Sequence, residues 1–130
     1  KEGWGLTTDG KYIIMSDGTN NLTYLDPNTL QPVKTKAVSE NGYAKDFLNE
    51  LEFINGYIYA NIWGNNTIVK IDTSNGKIVA KLNLNSLADS ARKLHPRSFE
   101  MNGIAFDSIT DKIYVTGKMW PKIYEIQFEH

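Results

Sequence analysis

The stretch Leu48-Asn49-Glu50-Leu51-Glu52-Phe53-Ile54-Asn55-Gly56-Tyr57-Ile58-Tyr59-Ala60-Asn61-Ile62-Trp63 decides how this chain is read. Asn55-Gly56, set between two β-rich runs, supplies the two positive φ angles of a type I′ turn, so the stretch predicts a tight hairpin. Asn49, Glu50 and Glu52 in its first strand, and Asn61 and Trp63 at the end of its second, stand where a purely structural sheet favours Val or Thr. Such departures mark candidate site positions, although Asn and Glu at strand edges also satisfy turns or face water.

Downstream, Thr67-Ile68-Val69-Lys70-Ile71-Asp72 reads as a third strand, and after Thr73-Ser74-Asn75-Gly76 the segment 77–84 reads as a fourth. Upstream, Trp4-Gly5-Leu6-Thr7-Thr8, Lys11-Tyr12-Ile13-Ile14-Met15-Ser16, Asn21-Leu22-Thr23-Tyr24-Leu25-Asp26 and residues 30–38 form the same series, with turns at Asp9-Gly10, Asp17-Gly18 and Pro27-Asn28. Pro32 makes the fourth run an edge strand, because proline cannot donate to a central ladder. The two series match in register: Tyr12-Ile13-Ile14-Met15 answers Tyr57-Ile58-Tyr59-Ala60, and Thr23-Tyr24-Leu25-Asp26 answers Val69-Lys70-Ile71-Asp72. A third series begins at Met101-Asn102-Gly103-Ile104, continues through Lys112-Ile113-Tyr114-Val115 and reaches Lys122-Ile123-Tyr124-Glu125-Ile126-Gln127-Phe128 without an outer strand.

Four short strands repeating about every 40 to 50 residues are the signature of a β-propeller blade. The chain is therefore expected to be all-β, with about two and a half to three blades of four-stranded antiparallel meanders in units 3–39, 47–84 and 101–128. The segment 85–96 breaks the pattern. Asn85 or Ser86 is placed to cap a short helix with Leu87, Ala91 and Leu94 on one face, and Pro96 helps to end it, so a helical insertion on one rim is expected. Propellers close with about 4 to 8 blades, so the expected reading is the carboxyl-terminal part of a longer ring, completed by upstream blades.

Composition narrows the function. The 130 residues are 41% hydrophobic and 22% charged, a normal globular balance, and the formal net charge is −1 with scattered basic residues. That leaves no electrostatic footprint for nucleic acid or for an anionic membrane surface. No apolar run approaches the roughly 18 residues of a membrane span. Lys1-Glu2-Gly3-Trp4 resembles neither an initiator region nor a signal peptide. Cysteine is absent, which removes disulfides, thiolate metal sites and thiol nucleophiles. There is no nucleophile elbow, paired-histidine metal motif, P-loop or dinucleotide fingerprint. His95 and His130, the only histidines, are not expected to bind metal.

Six motifs run in order along nearly the whole chain: Gly3-Trp4-Gly5-Leu6-Thr7-Thr8-Asp9-Gly10, Met15-Ser16-Asp17-Gly18, Leu48-Asn49-Glu50-Leu51-Glu52, Tyr59-Ala60-Asn61-Ile62-Trp63, Asn102-Gly103-Ile104-Ala105 and Val115-Thr116-Gly117-Lys118-Met119-Trp120-Pro121. Together they closely resemble the plant and bacterial type of glutaminyl-peptide cyclotransferase, or glutaminyl cyclase. The resemblance implies a five-bladed propeller of roughly twice this length. It also implies a secreted or periplasmic location, a substrate peptide or protein with an amino-terminal glutamine, no required cofactor, and a calcium ion in the channel of some members. No Asp-x-Asp loop here predicts that ion independently.

The implied reaction is cyclisation: the α-amine attacks the γ-carboxamide carbon, ammonia leaves and pyroglutamate remains. By resemblance, Asn49 and Lys118 are the catalytic candidates, as donors to the substrate amide and its developing oxyanion. Trp4 and Trp63 are apolar walls that fold the glutamine side chain back on its own amine. These four are expected at or beside inner strands, which line the channel. Glu50 and Asn61 are further substrate-binding candidates, while Glu50 and Glu52, sharing one strand face, suggest an acid and base pair but rank below Asn49, since two like charges there are more often solvated or structural. The family's principal acid/base is a glutamate of an earlier blade, in a Glu-Ser-Thr-Gly-like context, and no stretch here matches it. This segment alone is therefore expected to be inactive. The rival reading is a non-catalytic propeller that binds a peptide or small ligand in its channel; a purely structural repeat is the third.

Overall fold

The computed structural model describes residues 2–130; Lys1, part of the amino-terminal stretch read above, lies outside the described residues. The first sheet is a meander of β1 (Gly5–Thr8), β2 (Ile13–Ser16), β3 (Asn21–Leu25) and β4 (Pro32–Ala37), hydrogen-bonded in that order. Pro32 opens β4, which is the outer edge and is largely exposed. A ribbon of β5 (Ser39–Glu40) and β6 (Tyr43–Ala44), turned by Asn41-Gly42, leads to the second sheet. That sheet is β7 (Leu48–Ile54), β8 (Tyr57–Ile62), β9 (Thr67–Asp72) and β10 (Ile78–Asn83). The β7–β8 turn holds φ angles of 50° at Asn55 and 87° at Gly56, the left-handed pair that a type I′ turn needs. Helix α1 (Asn85–Leu94) follows, then a sheet of β11 (Met101–Asp107), β12 (Lys112–Gly117) and β13 (Tyr124–Ile126).

The inner strands β1, β7 and β11 lie side by side and the sheets stack face to face around them, the arrangement of propeller blades. Stacking explains the middle sheet's composition. One core, with Ile14, Leu22, Leu51, Ile58, Val69 and Ile71, fills the space between the first and second sheets. A second, with Ile54, Tyr59, Ile68, Met101, Ile113 and Val115, fills the space between the second and third. Because both faces of β8 are covered, its residues from Ile58 to Ile62 are all buried and show no polar alternation. Outer turns are closed by aspartates: Asp26 Oδ1 accepts from the Asn28 N–H at 2.8 Å and Asp72 Oδ1 from the Ser74 N–H at 2.8 Å.

The helix differs from its expected capping. Leu84, rather than Asn85 or Ser86, precedes its first turn, and no side chain caps it. Asn83 Oδ1 instead accepts the Asn85 N–H at 3.0 Å, two residues before the first of the expected caps. The buried face is Ala88 and Ala91, with Leu87 packed against the second core, whereas Leu94 is mostly exposed.

Candidate active site

Equivalent positions of the three blades build one cavity. Leu6 pairs with Met15, Leu51 with Ala60 and Ile104 with Val115, each joining an inner strand to the second strand of its sheet. Two residues before the inner partner stand Trp4, Asn49 and Asn102; three residues after the outer partner stand Gly18, Trp63 and Lys118. Inner and second strands run antiparallel, so the start of one and the end of the other meet at the same rim of the channel. There Trp4, Asn49, Trp63, Asn102 and Lys118, together with Glu2, line a cavity of about 310 Å³.

Close backbone approach makes this convergence possible. A Cβ on Gly5 would overlap the carbonyl oxygen of Asn49, so only glycine lets β1 lie against β7 here. The same carbonyl accepts the Ser16 hydroxyl at 2.6 Å, which pins the Asn49 backbone to the first blade. Gly18 serves the Trp4 indole: a Cβ there would fall 2.6 Å from the ring. The Trp4 and Trp63 rings, 6.2 Å apart at 59°, form the aromatic wall, and Phe47 extends it at 5.8 Å from Trp63. Phe47, at φ 65°, links the blades by donating its N–H to Gly18 O at 2.9 Å and accepting the Trp63 N–H at 2.9 Å.

Of the sequence candidates, Trp4, Asn49, Trp63 and Lys118 come together. Asn49 is buried at 6% exposure, while Trp63, at 46%, offers an open face. Trp63 and Lys118 follow the second strands β8 and β12 and lie beside the inner strands, their N–H groups bonding to Phe47 O at 2.9 Å and Glu100 O at 3.1 Å. Lys118 Nζ sits 3.0 Å from Glu100 Oε1, and that hydrogen bond holds the Glu100 carboxyl below the usual carboxylate range.

Asn61 and Glu50 stand apart from this cavity. Asn61 is fully buried, and its Oδ1 accepts the Gly103 N–H at 2.9 Å, bracing the third blade against the second. Glu50 lines the clefts on either side of β7, against Leu6 and Met15 in one and Ile104 and Tyr114 in the other. Glu52 is a tie between three inner strands: Oε1 accepts the Thr7 hydroxyl at 3.2 Å and Oε2 the Phe106 N–H at 2.9 Å. Trp120 packs edge-on against Tyr124 and donates its indole N–H to Phe99 O at 2.7 Å. Among the described residues no three His, Asp or Glu side chains converge to hold a metal ion.

The sequence pattern is matched from residue 1 to 128 by the family model described as glutamine cyclotransferase. The chain belongs to that family. It is 40% identical over 130 residues to the glutaminyl-peptide cyclotransferase of Arabidopsis thaliana, covering 99% of this chain and 41% of that protein. The glutaminyl cyclase of Myxococcus xanthus superposes with a TM-score of 0.91 at 33% identity, over 98% of this chain and 55% of that one. The chain thus spans about half or less of the length of these cyclotransferase relatives. Beyond the family, hydrazine synthase of Kuenenia stuttgartiensis superposes with a TM-score of 0.57 at 12% identity over 95% of this chain and 32% of that one, a likeness of fold alone.

Proposed function

We propose that this chain supplies one wall of the substrate site of a glutaminyl-peptide cyclotransferase, which converts the amino-terminal glutamine of peptides and proteins to pyroglutamate. The observation that carries this reading is the meeting of Trp4, Asn49, Trp63 and Lys118, drawn from three blades, around one cavity. Membership of the cyclotransferase family supports it.

An α-amine titrates at about 7.7 to 8.0 when unperturbed, so a useful fraction is already a free nucleophile near neutral pH. Chemistry then turns on charge and geometry. As the amine nitrogen bonds to the γ-carbon, negative charge builds on the carboxamide oxygen; when the old carbon–nitrogen bond breaks, one proton from the amine ends on the departing nitrogen as ammonia. The Lys118 ammonium and the Asn49 amide are the donors for that oxyanion, and the Glu100 carboxylate keeps Lys118 at the rim. The Trp4 and Trp63 rings fold the side chain back onto the amine and lower the entropic cost of ring closure. The remaining blades, with the family's acid/base glutamate, complete the site. A secreted or periplasmic setting is the one the family resemblance supports, and no helix among the described residues is long and apolar enough to cross a membrane.

The test is ammonia release from a Gln-initiated dipeptide by the full-length polypeptide that carries this chain. Asn49→Ala and Lys118→Ala are each expected to lower kcat/KM by about 10²- to 10³-fold in a protein that remains folded at the assay temperature. Unchanged rates in both folded variants overturn the reading.

A further inference from the structure

The cavity holds a group that the proposed chemistry does not use. Asn102 occupies in the third blade the position that Asn49 occupies in the second, as the pairings Leu51 with Ala60 and Ile104 with Val115 establish. Both inner strands break register there, β7 between Leu48 and Leu51 and β11 between Met101 and Ile104. A bulge re-aims a side chain that a regular strand would send elsewhere. The β11 irregularity is held in place by the fully buried Asn61, whose Oδ1 accepts the Gly103 N–H. The Asn102 side chain lines the cavity beside Asn49 and Lys118, and its Oδ1 is buried without a hydrogen-bond partner. A buried carbonyl oxygen left unpaired is costly, so its partner is to be sought in what fills the cavity.

We infer that Asn102 is a further substrate-contacting residue of the cyclisation site, its Oδ1 accepting an N–H of the substrate's α-amine. This rests on the cyclotransferase reading above. The donor and acceptor inventory leads to it. Lysine and tryptophan side chains carry no acceptor, so of the six lining residues only Glu2, Asn49 and Asn102 offer one. Glu2 is exposed to solvent, and of the two amides it is Asn102 whose Oδ1 is buried without a partner. The attacking amine must direct its lone pair at the γ-carbon, which requires its N–H bonds to be held away from it. As the new bond forms, the nitrogen gains positive charge, and an acceptor on its N–H strengthens in the transition state.

The experiment is kinetic, on the full-length protein with Gln-initiated dipeptide. Asn102→Ala removes the acceptor and is expected to cut kcat/KM about ten- to hundredfold. Asn102→Asp keeps the shape and the acceptor but adds a negative charge beside the bound amine. That charge favours the ammonium form, so the acid limb of the kcat–pH profile is expected to move to higher pH. An Asn102→Ala enzyme within about twofold of wild type overturns the inference. An acid limb in Asn102→Asp that coincides with wild type also overturns it, even if Asn102→Ala fails to fold. Loss of the cyclotransferase reading is separately visible, because then wild type itself releases no ammonia.

Discussion

Lys118 and Glu100 show how one contact both positions a candidate catalytic group and leaves a measurable trace. Their charged atoms are 3.0 Å apart, and the hydrogen bond from Lys118 is the first cause of the lowered Glu100 carboxyl. A carboxyl whose folded pKa lies below its ordinary value of 4.5 adds stability that is complete above that value and fades as pH falls through the folded one. The gain is modest, since the lysine side chain is about half exposed. Lys118→Met should therefore lower the thermal midpoint of the full-length protein near neutral pH and converge on wild type in acid. A difference that stays constant through the acid range contradicts the pairing. Much at this scale was readable beforehand, since Trp4, Asn49, Trp63 and Lys118 sit in motifs quoted from the chain alone. Asn102 was readable too, by carrying the in-register repeat of residues 57–60 on to 112–115 and counting back to the inner strand. Phe47 was not: a non-glycine residue at φ 65° in a connecting loop leaves no periodic signal, and its place beside Trp63 depends on contacts with two blades.

Between elements, the decisive feature is how the inner strands are tied. Glu52 carries the hydroxyl of Thr7 from β1 and the N–H of Phe106 from β11 on its two carboxylate oxygens, while Thr7 Oγ1 also accepts the Phe53 N–H at 3.0 Å. A sequence reading that pairs Glu50 with Glu52 as acid and base on one strand face misses this division, because strand periodicity reports a shared face but not which neighbouring strand lies across it. Replacing Glu52 by Ala leaves two donors unpaired at the junction of three blades and is expected to cost about 1 to 3 kcal/mol, measured by urea denaturation of the full-length protein. A loss below about 0.5 kcal/mol would place Glu52 among ordinary surface residues. The hairpin β7–β8 was legible because Asn55-Gly56 is a local, steric signal. The helix cap was not, since Leu84 is placed by its packing against the second core rather than by any preference for the position.

For the whole molecule, the repeat read in the sequence and the sheets in the structure agree on why this site is distributed. Each blade contributes a pair of positions to one rim: Trp4 with Gly18, Asn49 with Trp63, Asn102 with Lys118. No single blade holds a site, and residues more than a hundred positions apart become neighbours only when the blades stack. Repetition also explains the division of labour. One backbone position carries an aromatic in the first blade and an amide in the next two, so a wall and a polar face are built from the same geometry. The chain covers 41% of its Arabidopsis relative and 55% of the Myxococcus enzyme. The most direct test is a crystal structure of the full-length protein with a Gln-initiated peptide bound in a catalytically slowed variant. The expected result is the glutamine side chain between the Trp4 and Trp63 rings, with its carboxamide oxygen within hydrogen-bonding distance of Asn49 or Lys118. A peptide seated elsewhere, with this cavity holding only solvent, would contradict the account.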